Sequence, residues 1–268
     1  MNSRPVFVSR ENLPAPGSTS VDPGNVAFYT HRAPNKETNN EDALAIFRPL
    51  PGTAVLAVAD GLGGERAGSE AARLALESLR QTLSCVSDAN RLREGVLNGI
   101  ELANDAVRNL GIGAATTLAI AEIRDRQLRT YHVGDSAIIV CGQRGKDKFK
   151  SVPHSPTGYA VEAGLMDEAD ALQHEHRHLV SNVVGAEDMR IDIGPVLILA
   201  DRDTVLLASD GLTDNLYYEE IVDIIRHGQL EQVANELVQR CSGRMRSEDT
   251  SKPAKPDDLS FILFRPGV

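Results

Sequence analysis

Short apolar runs recur along the chain, separated by longer stretches in which apolar residues return every third or fourth position. The short runs predict strands at residues 43–47 (ALAIF), 54–59 (AVLAVA), 116–123, 127–133, 137–141, 196–200, 204–209 and 259–264. The longer pattern predicts helices. Residues 67–83 place Ala71, Leu74, Ala75, Leu79 and Leu83 near helical spacing, and residues 91–110 carry Leu92, Val96, Ile100, Ala103, Val107 and Leu110 on one side. Two further helical stretches cover 218–226 and 230–241, whereas residues 155–190 weaken into short polar helical pieces and loops. Residues 1–25, rich in Pro, Ser and Gly, read as an irregular lead-in.

Strands and helices come in blocks rather than in strict alternation. That favours an α+β fold of antiparallel sheets with helices layered outside over a doubly wound parallel sheet. No long linker, low-complexity run or repeated module divides the chain, so residues 26–268 are expected to form one domain.

Two of the strands end alike. Residues 54–59 run into Asp60-Gly61-Leu62, and residues 204–209 run into Asp210-Gly211-Leu212. A third apolar strand, 259–264, is preceded by Asp257-Asp258. In antiparallel neighbours the start of one strand lies beside the end of the next, so Asp60, Asp210 and Asp257 are expected at one rim. Carboxylates gathered in this way repel one another and call for a hard divalent cation such as Mg²⁺ or Mn²⁺. Gly61 would let the backbone approach such an ion closely. Glu41 and Asp42 stand just before the strand 43–47, and Asp135 lies in the turn Gly134-Asp135-Ser136; each also has an ordinary reading, as a solvated strand start and as a turn residue.

Composition narrows the function classes. A formal net charge of −10 argues against a sequence-independent grip on nucleic acid and against an anionic membrane surface as partner. Cys85, Cys141 and Cys241 are scattered without CxxC spacing, which suits a reducing compartment and supplies no metal framework. The first residues lack the apolar core of a signal peptide and no stretch has the length of a membrane span, so a cytoplasmic protein is expected.

Taken in order, NNED (39–42), VADGLGG (58–64), AATTLAI (114–120), HVGDSAII (132–139), ASDGLTD (208–214) and DDLSFI (257–262) resemble the metal-dependent Ser/Thr protein phosphatases of the PPM, or type 2C, family, in its bacterial form. The resemblance implies a four-layer α-β-β-α sandwich, two antiparallel sheets flanked by helices, with a two-metal site at one end. By that resemblance Asp60 bridges both ions, the Gly61 carbonyl binds one of them, and Asp210 and Asp257 complete the other. Glu41 and Asp42 match the acidic pair that supports the metals, Asp135 matches the holder of a weaker third ion, and Glu162 is its candidate partner. Hydrolysis then follows from in-line attack on phosphorus by a metal-bridging hydroxide, with no Ser or Cys nucleophile. Phosphoserine and phosphothreonine proteins are the implied substrates, a Ser/Thr kinase the implied counterpart, and a monomer the implied state.

The chain departs from that family pattern in three places. Glu37 stands where many members carry a phosphate-gripping Arg, with Lys36 beside it as the candidate substitute and Arg32 further back. Lys lacks the bidentate fork of Arg. Leu62 replaces a His proposed elsewhere as general acid, and Asp258 replaces Asn. These departures keep open a phosphatase-like regulatory module with little turnover, while a phosphodiesterase or nuclease fits the carboxylates but not the charge. His174, His176 and His178 alternate as on one side of a strand, without a residue to complete a zinc set, and read as a solvated loop in the 155–190 flap region.

Overall fold

Every residue of segments 43–47 and 53–59 is buried. Their unbroken apolar character therefore reflects cover on both faces of a sheet. The computed structural model describes residues 5–267 other than 112, 248, 250 and 251. The chain opens with β1 (Val6–Ser9), β2 (Gly17–Val21), β3 (Gly24–His31), β4 (Ala43–Phe47), β5 (Thr53–Ala59) and the two-residue β6 (Gly61–Leu62). Helices α1 (Glu65–Ser84) and α2 (Leu92–Arg108) follow, then β7 (Ala115–Thr116), β8 (Leu118–Arg124), β9 (Gln127–Val133), β10 (Ala137–Cys141) and β11 (Asp147–Lys150). Short helices α3 (Pro156–Glu162) and α4 (Glu168–Gln173) lead to β12 (Asp192–Ile193), β13 (Leu197–Ile198) and β14 (Thr204–Ala208). The chain closes with α5 (Asp210–Thr213), α6 (Tyr218–Ile225), α7 (Leu230–Met245) and β15 (Leu259–Pro266).

One antiparallel sheet runs β1-β4-β5-β8-β9-β12, with β13 also on β9; the other runs β11-β10-β14-β15-β3-β2. Alternate residues of each strand feed different cores. Leu44, Ile46, Leu56 and Val58 meet Ile138, Val140, Leu207 and Ile262 between the sheets. Ala45, Val55 and Ala57 pack outward on Leu76, Leu79, Val96 and Ile100 of α1 and α2. On the far side Leu206, Phe261 and Leu263 pack on Ile221, Ile225, Leu237 and Cys241 of α6 and α7. The result is the expected α-β-β-α sandwich.

The stretch read as an irregular lead-in carries β1, β2 and the start of β3, apart from residues 1–4, which lie outside the described residues. Val6 pairs with Ile46 and Gly17 with Phe28. Strands β1 and β2 lie at sheet edges, where backbone hydrogen bonds to one neighbour suffice and GSTSV needs no apolar pattern. The strand expected at 196–200 shrinks to Leu197–Ile198, and β11 and β12 had no clear periodic signal. Of the charged loop before β15, residues 248, 250 and 251 lie outside the described set.

Register places the site. Ala43 pairs with Ala59, setting Asp42 and Asp60 at one end of the first sheet. Ala208 pairs with Ala137 on one side and Phe261 on the other, so the chain leading out of β14 meets the residues that precede β10 and β15.

Candidate active site

Asp60 leaves β5 with its backbone held at both ends. Its N–H donates to Thr117 Oγ1 (3.0 Å), and its carbonyl accepts from Thr116 Oγ1 and Thr117 N–H (both 2.8 Å). The Thr-Thr pair of AATTLAI is thus a clamp on the aspartate. Gly61 is required by packing: a Cβ there would meet the Gly68 carbonyl oxygen at 2.2 Å and that of Glu41 at 2.7 Å.

Asp210 starts α5, whose preceding residue, Ser209, bridges the two sheets. Its hydroxyl donates to Asp42 Oδ2 (2.9 Å) and accepts from Ser260 N–H (3.0 Å). Asp42 is buried, and its Oδ1 has no hydrogen-bond partner among the described residues. Asp258 lies beside Asp42 but turns its oxygens to the neighbouring segment. It accepts from Ala33 N–H (2.8 Å), Glu41 N–H (2.7 Å) and Lys36 Nζ (2.7 Å), so it fixes the segment that carries Glu41. Lys36 also pairs with Glu41 (2.7 Å), so its ammonium is engaged by two carboxylates.

The expected residues do meet. Burial, then the charges of Asp42, Asp210, Asp257 and Asp135, pushes the Asp60 carboxyl well above its ordinary range. Asp210 is raised in the same way, by burial and then by Asp257 and Asp214. Burial and then Asp258 raise Asp42 to about 8, and burial and then Asp214 raise Asp135 to about 6. Carboxylates from five separate segments therefore share one electrostatic site. Beside it lies a cavity of about 240 Å³ that reaches from Asp135, Asp210 and Asp214 to Glu162, Leu172 and Arg177 of the flap region.

Without divalent ions this arrangement costs stability, and the sign follows from linkage. Between the ordinary carboxyl value of 3.8 and the raised values, the folded chain holds protons that the unfolded chain has released. The calorimetric midpoint in EDTA should therefore fall as pH rises from about 4 to about 8, Asp135 contributing up to about 6 and Asp42 up to about 8, and Asp42→Asn should flatten the slope above about 6. A midpoint that rises over the same window in both proteins contradicts the arrangement.

Three residues lay outside the sequence reading. Lys255 Nζ reaches Asp210 (2.6 Å), Asp257 (2.9 Å) and Asp214 (3.0 Å). Burial disfavours that ammonium, but the three carboxylates hold its pKa well above the usual lysine range. Asp214 closes the quoted ASDGLTD motif, the one signal that pointed to it. His154 holds the turn that carries Asp135: its Nδ1 accepts from Gly134 N–H (3.0 Å), which leaves the proton on Nε2, 3.1 Å from Asp192 Oδ2. His132 stacks on it with ring centroids 4.3 Å apart. These three residues form a metal-sized cluster, but the tautomer imposed by Gly134 leaves His154 without a lone pair to offer a metal. The residues after α4 form a turn in which His176 and His178 are exposed. Burial raises the Cys141 thiol to about 11 and that of Cys241 to about 12, so neither is a thiolate nucleophile near neutral pH.

An α-β-β-α sandwich with a carboxylate cluster at one rim defines a class of hydrolytic phosphatases, and comparison with known proteins agrees. The sequence pattern of the family described as protein phosphatase 2C matches residues 31–249, and the chain belongs to that family. It is 32% identical over 199 residues to the protein phosphatase PhpP of Streptococcus pneumoniae, covering 71% of this chain and 80% of that protein. Its fold is similar to the serine/threonine phosphatase of S. agalactiae, with a TM-score of 0.78 and 24% identity over 90% of this chain and 99% of that one. It is also similar to the catalytic domain of the serine/threonine protein phosphatase PstP in complex with two manganese ions, with a TM-score of 0.67 and 21% identity over 90% and 96% of the two chains. The protein is a phosphatase enzyme of this family.

Proposed function

We propose that this phosphatase hydrolyses phosphoserine and phosphothreonine in proteins, with two divalent cations, Mg²⁺ or Mn²⁺, held by Asp60, the Gly61 carbonyl, Asp210 and Asp257. The observation that carries the reading is the mutual repulsion of buried carboxylates drawn from five segments, with the Lys255 ammonium against three of them, Asp210, Asp214 and Asp257. Hard oxygen donors, an unpartnered Asp42 oxygen and excess negative charge fit a divalent ion. The manganese reported with the PstP domain supports the choice of metal.

When bound, such ions supply the Lewis acidity that makes water nucleophilic near neutral pH and offset charge on the phosphoryl oxygens. The chain's own residues set the stage. Thr116 and Thr117 hold the Asp60 backbone, Ser209 orients Asp42, and Asp258 fixes the Glu41 segment. Glu41 and Asp42 are assigned to support the ions from behind. Asp135, with Glu162 across the cavity, is assigned to a weaker third ion. A Ser/Thr kinase as the opposing activity, a cytoplasmic setting and a monomeric state complete the reading. No helix among the described residues is long and apolar enough to cross a membrane.

The test is hydrolysis of para-nitrophenyl phosphate with Mn²⁺, Mg²⁺ or EDTA, beside bis(para-nitrophenyl) phosphate. Turnover of the monoester that requires metal and disappears in Asp210→Asn is the expected result. Preference for the diester, or turnover that survives EDTA, overturns it.

A further inference from the structure

Lys255 is built into the site. Asn215, fully buried, donates from Nδ2 to the Lys255 carbonyl (2.8 Å) and accepts the Lys255 N–H at Oδ1 (2.9 Å). The same Asn215 Nδ2 donates to the Gly211 carbonyl (2.9 Å), which ties the lysine backbone to the helix that begins with Asp210. From that anchored position the ammonium lies 2.6–3.0 Å from oxygens of Asp210, Asp257 and Asp214. The ammonium thus donates a hydrogen bond to Asp210 and lies at ion-pair distance from Asp257 and Asp214, and its side chain is 21% exposed. Among the described residues, Lys36 pairs with Glu41 and Asp258, and Arg177, whose charge also acts on Asp214, donates to the Leu172 carbonyl.

A divalent ion on Asp210 and Asp257 shares the carboxylates that Lys255 pairs with, and two cations a few ångströms apart repel strongly in a partly buried site. We infer that Lys255 is the resident counter-ion of the metal-free site and that divalent binding expels its ammonium from the carboxylates. The inference rests on the two-metal reading above. Its consequence is a metal affinity held below what the carboxylates alone would give, so that occupancy responds to the free divalent concentration.

The experiment is calorimetric titration of Mn²⁺ into EDTA-treated, dialysed wild type, Lys255→Met and Arg126→Met, the last removing an equal charge at an exposed position paired with Asp201. Lys255→Met should bind Mn²⁺ about tenfold or more tightly than wild type, with Arg126→Met unchanged. Equal affinity in wild type and Lys255→Met overturns the role of Lys255 and leaves the metal site standing. Failure of wild type and Lys255→Met alike to bind overturns both. A second measurement needs no variant: acetylation of wild-type lysines, read by mass spectrometry with and without Mn²⁺. Lys255 should become several-fold more reactive when Mn²⁺ is present while Lys148, paired with Asp203, does not change. Continued protection of Lys255 in saturating Mn²⁺ rules out its expulsion.

Discussion

Asp60→Asn is expected to lower metal-dependent phosphatase activity by on the order of 10³-fold or more while raising the thermal midpoint of the metal-free protein. Both effects have one origin. The Asp60 carboxyl feels the charges of Asp42, Asp210, Asp257 and Asp135 together. An amide of the same shape removes the charge that two cations would share, yet it leaves untouched the backbone clamp from Thr116 and Thr117. Loss of activity therefore cannot be put down to a disordered turn. In EDTA the substitution relieves repulsion among buried carboxylates, so stability should move opposite to activity, as expected where a site is strained for function. The check is kcat/KM on para-nitrophenyl phosphate beside calorimetric midpoints in EDTA. Activity within tenfold of wild type would remove Asp60 from the centre of the site. A midpoint that falls would mean that the carboxylate is stabilised by something other than an absent cation.

The convergence that makes this prediction possible was largely legible in the sequence, and the reason is physical. Strands covered on both faces must be apolar throughout, so 54–59 and 204–209 stand out, and a carboxylate directly after each marks where the strand leaves the core. Antiparallel pairing then fixes which strand ends are neighbours. Edge strands β1 and β2 were missed because one neighbour and a backbone ladder are enough to hold them. Lys255 was hidden for a different reason. It sits in a run of charged residues where any lysine looks solvated, and it is the buried Asn215, distant in sequence, that holds its backbone at the site. Asp257 and Asp258 are adjacent and chemically identical in sequence. The fold divides them, giving one to Lys255 at the cluster and the other to the Glu41 segment. The phosphate role considered for Lys36 was framed by its place beside Glu37, whereas the fold engages its ammonium with Glu41 and Asp258.

Gly211→Ala should be among the most damaging single-methyl additions in the molecule, destabilising it by ~3 kcal/mol or more and weakening Mn²⁺ binding with it. A Cβ at residue 211 would stand 1.9 Å from the Asp258 carbonyl oxygen and 3.2 Å from Leu259 Cα. Neither side can retreat cheaply. The Asp258 segment leads straight into β15, which pairs with β3 from Leu259 onward, and Ser209 N–H donates to the Ser260 carbonyl (2.9 Å). Relief of the clash must therefore move the start of α5 away from β15, and that separates Asp210 from Asp257. Gly243→Ala supplies the contrast. Gly243 lies in α7, and a Cβ there meets nothing within 4 Å, so alanine should be neutral or stabilise by up to about 1 kcal/mol through helix propensity. Urea unfolding and Mn²⁺ calorimetry on the two variants separate the contributions. If Gly211→Ala lost stability but bound Mn²⁺ normally, the distance between Asp210 and Asp257 would not govern the site. If it matched Gly243→Ala in both measurements, the close approach of α5 to the start of β15 would be wrong, and the carboxylate cluster would lose the contact that holds two of its members together.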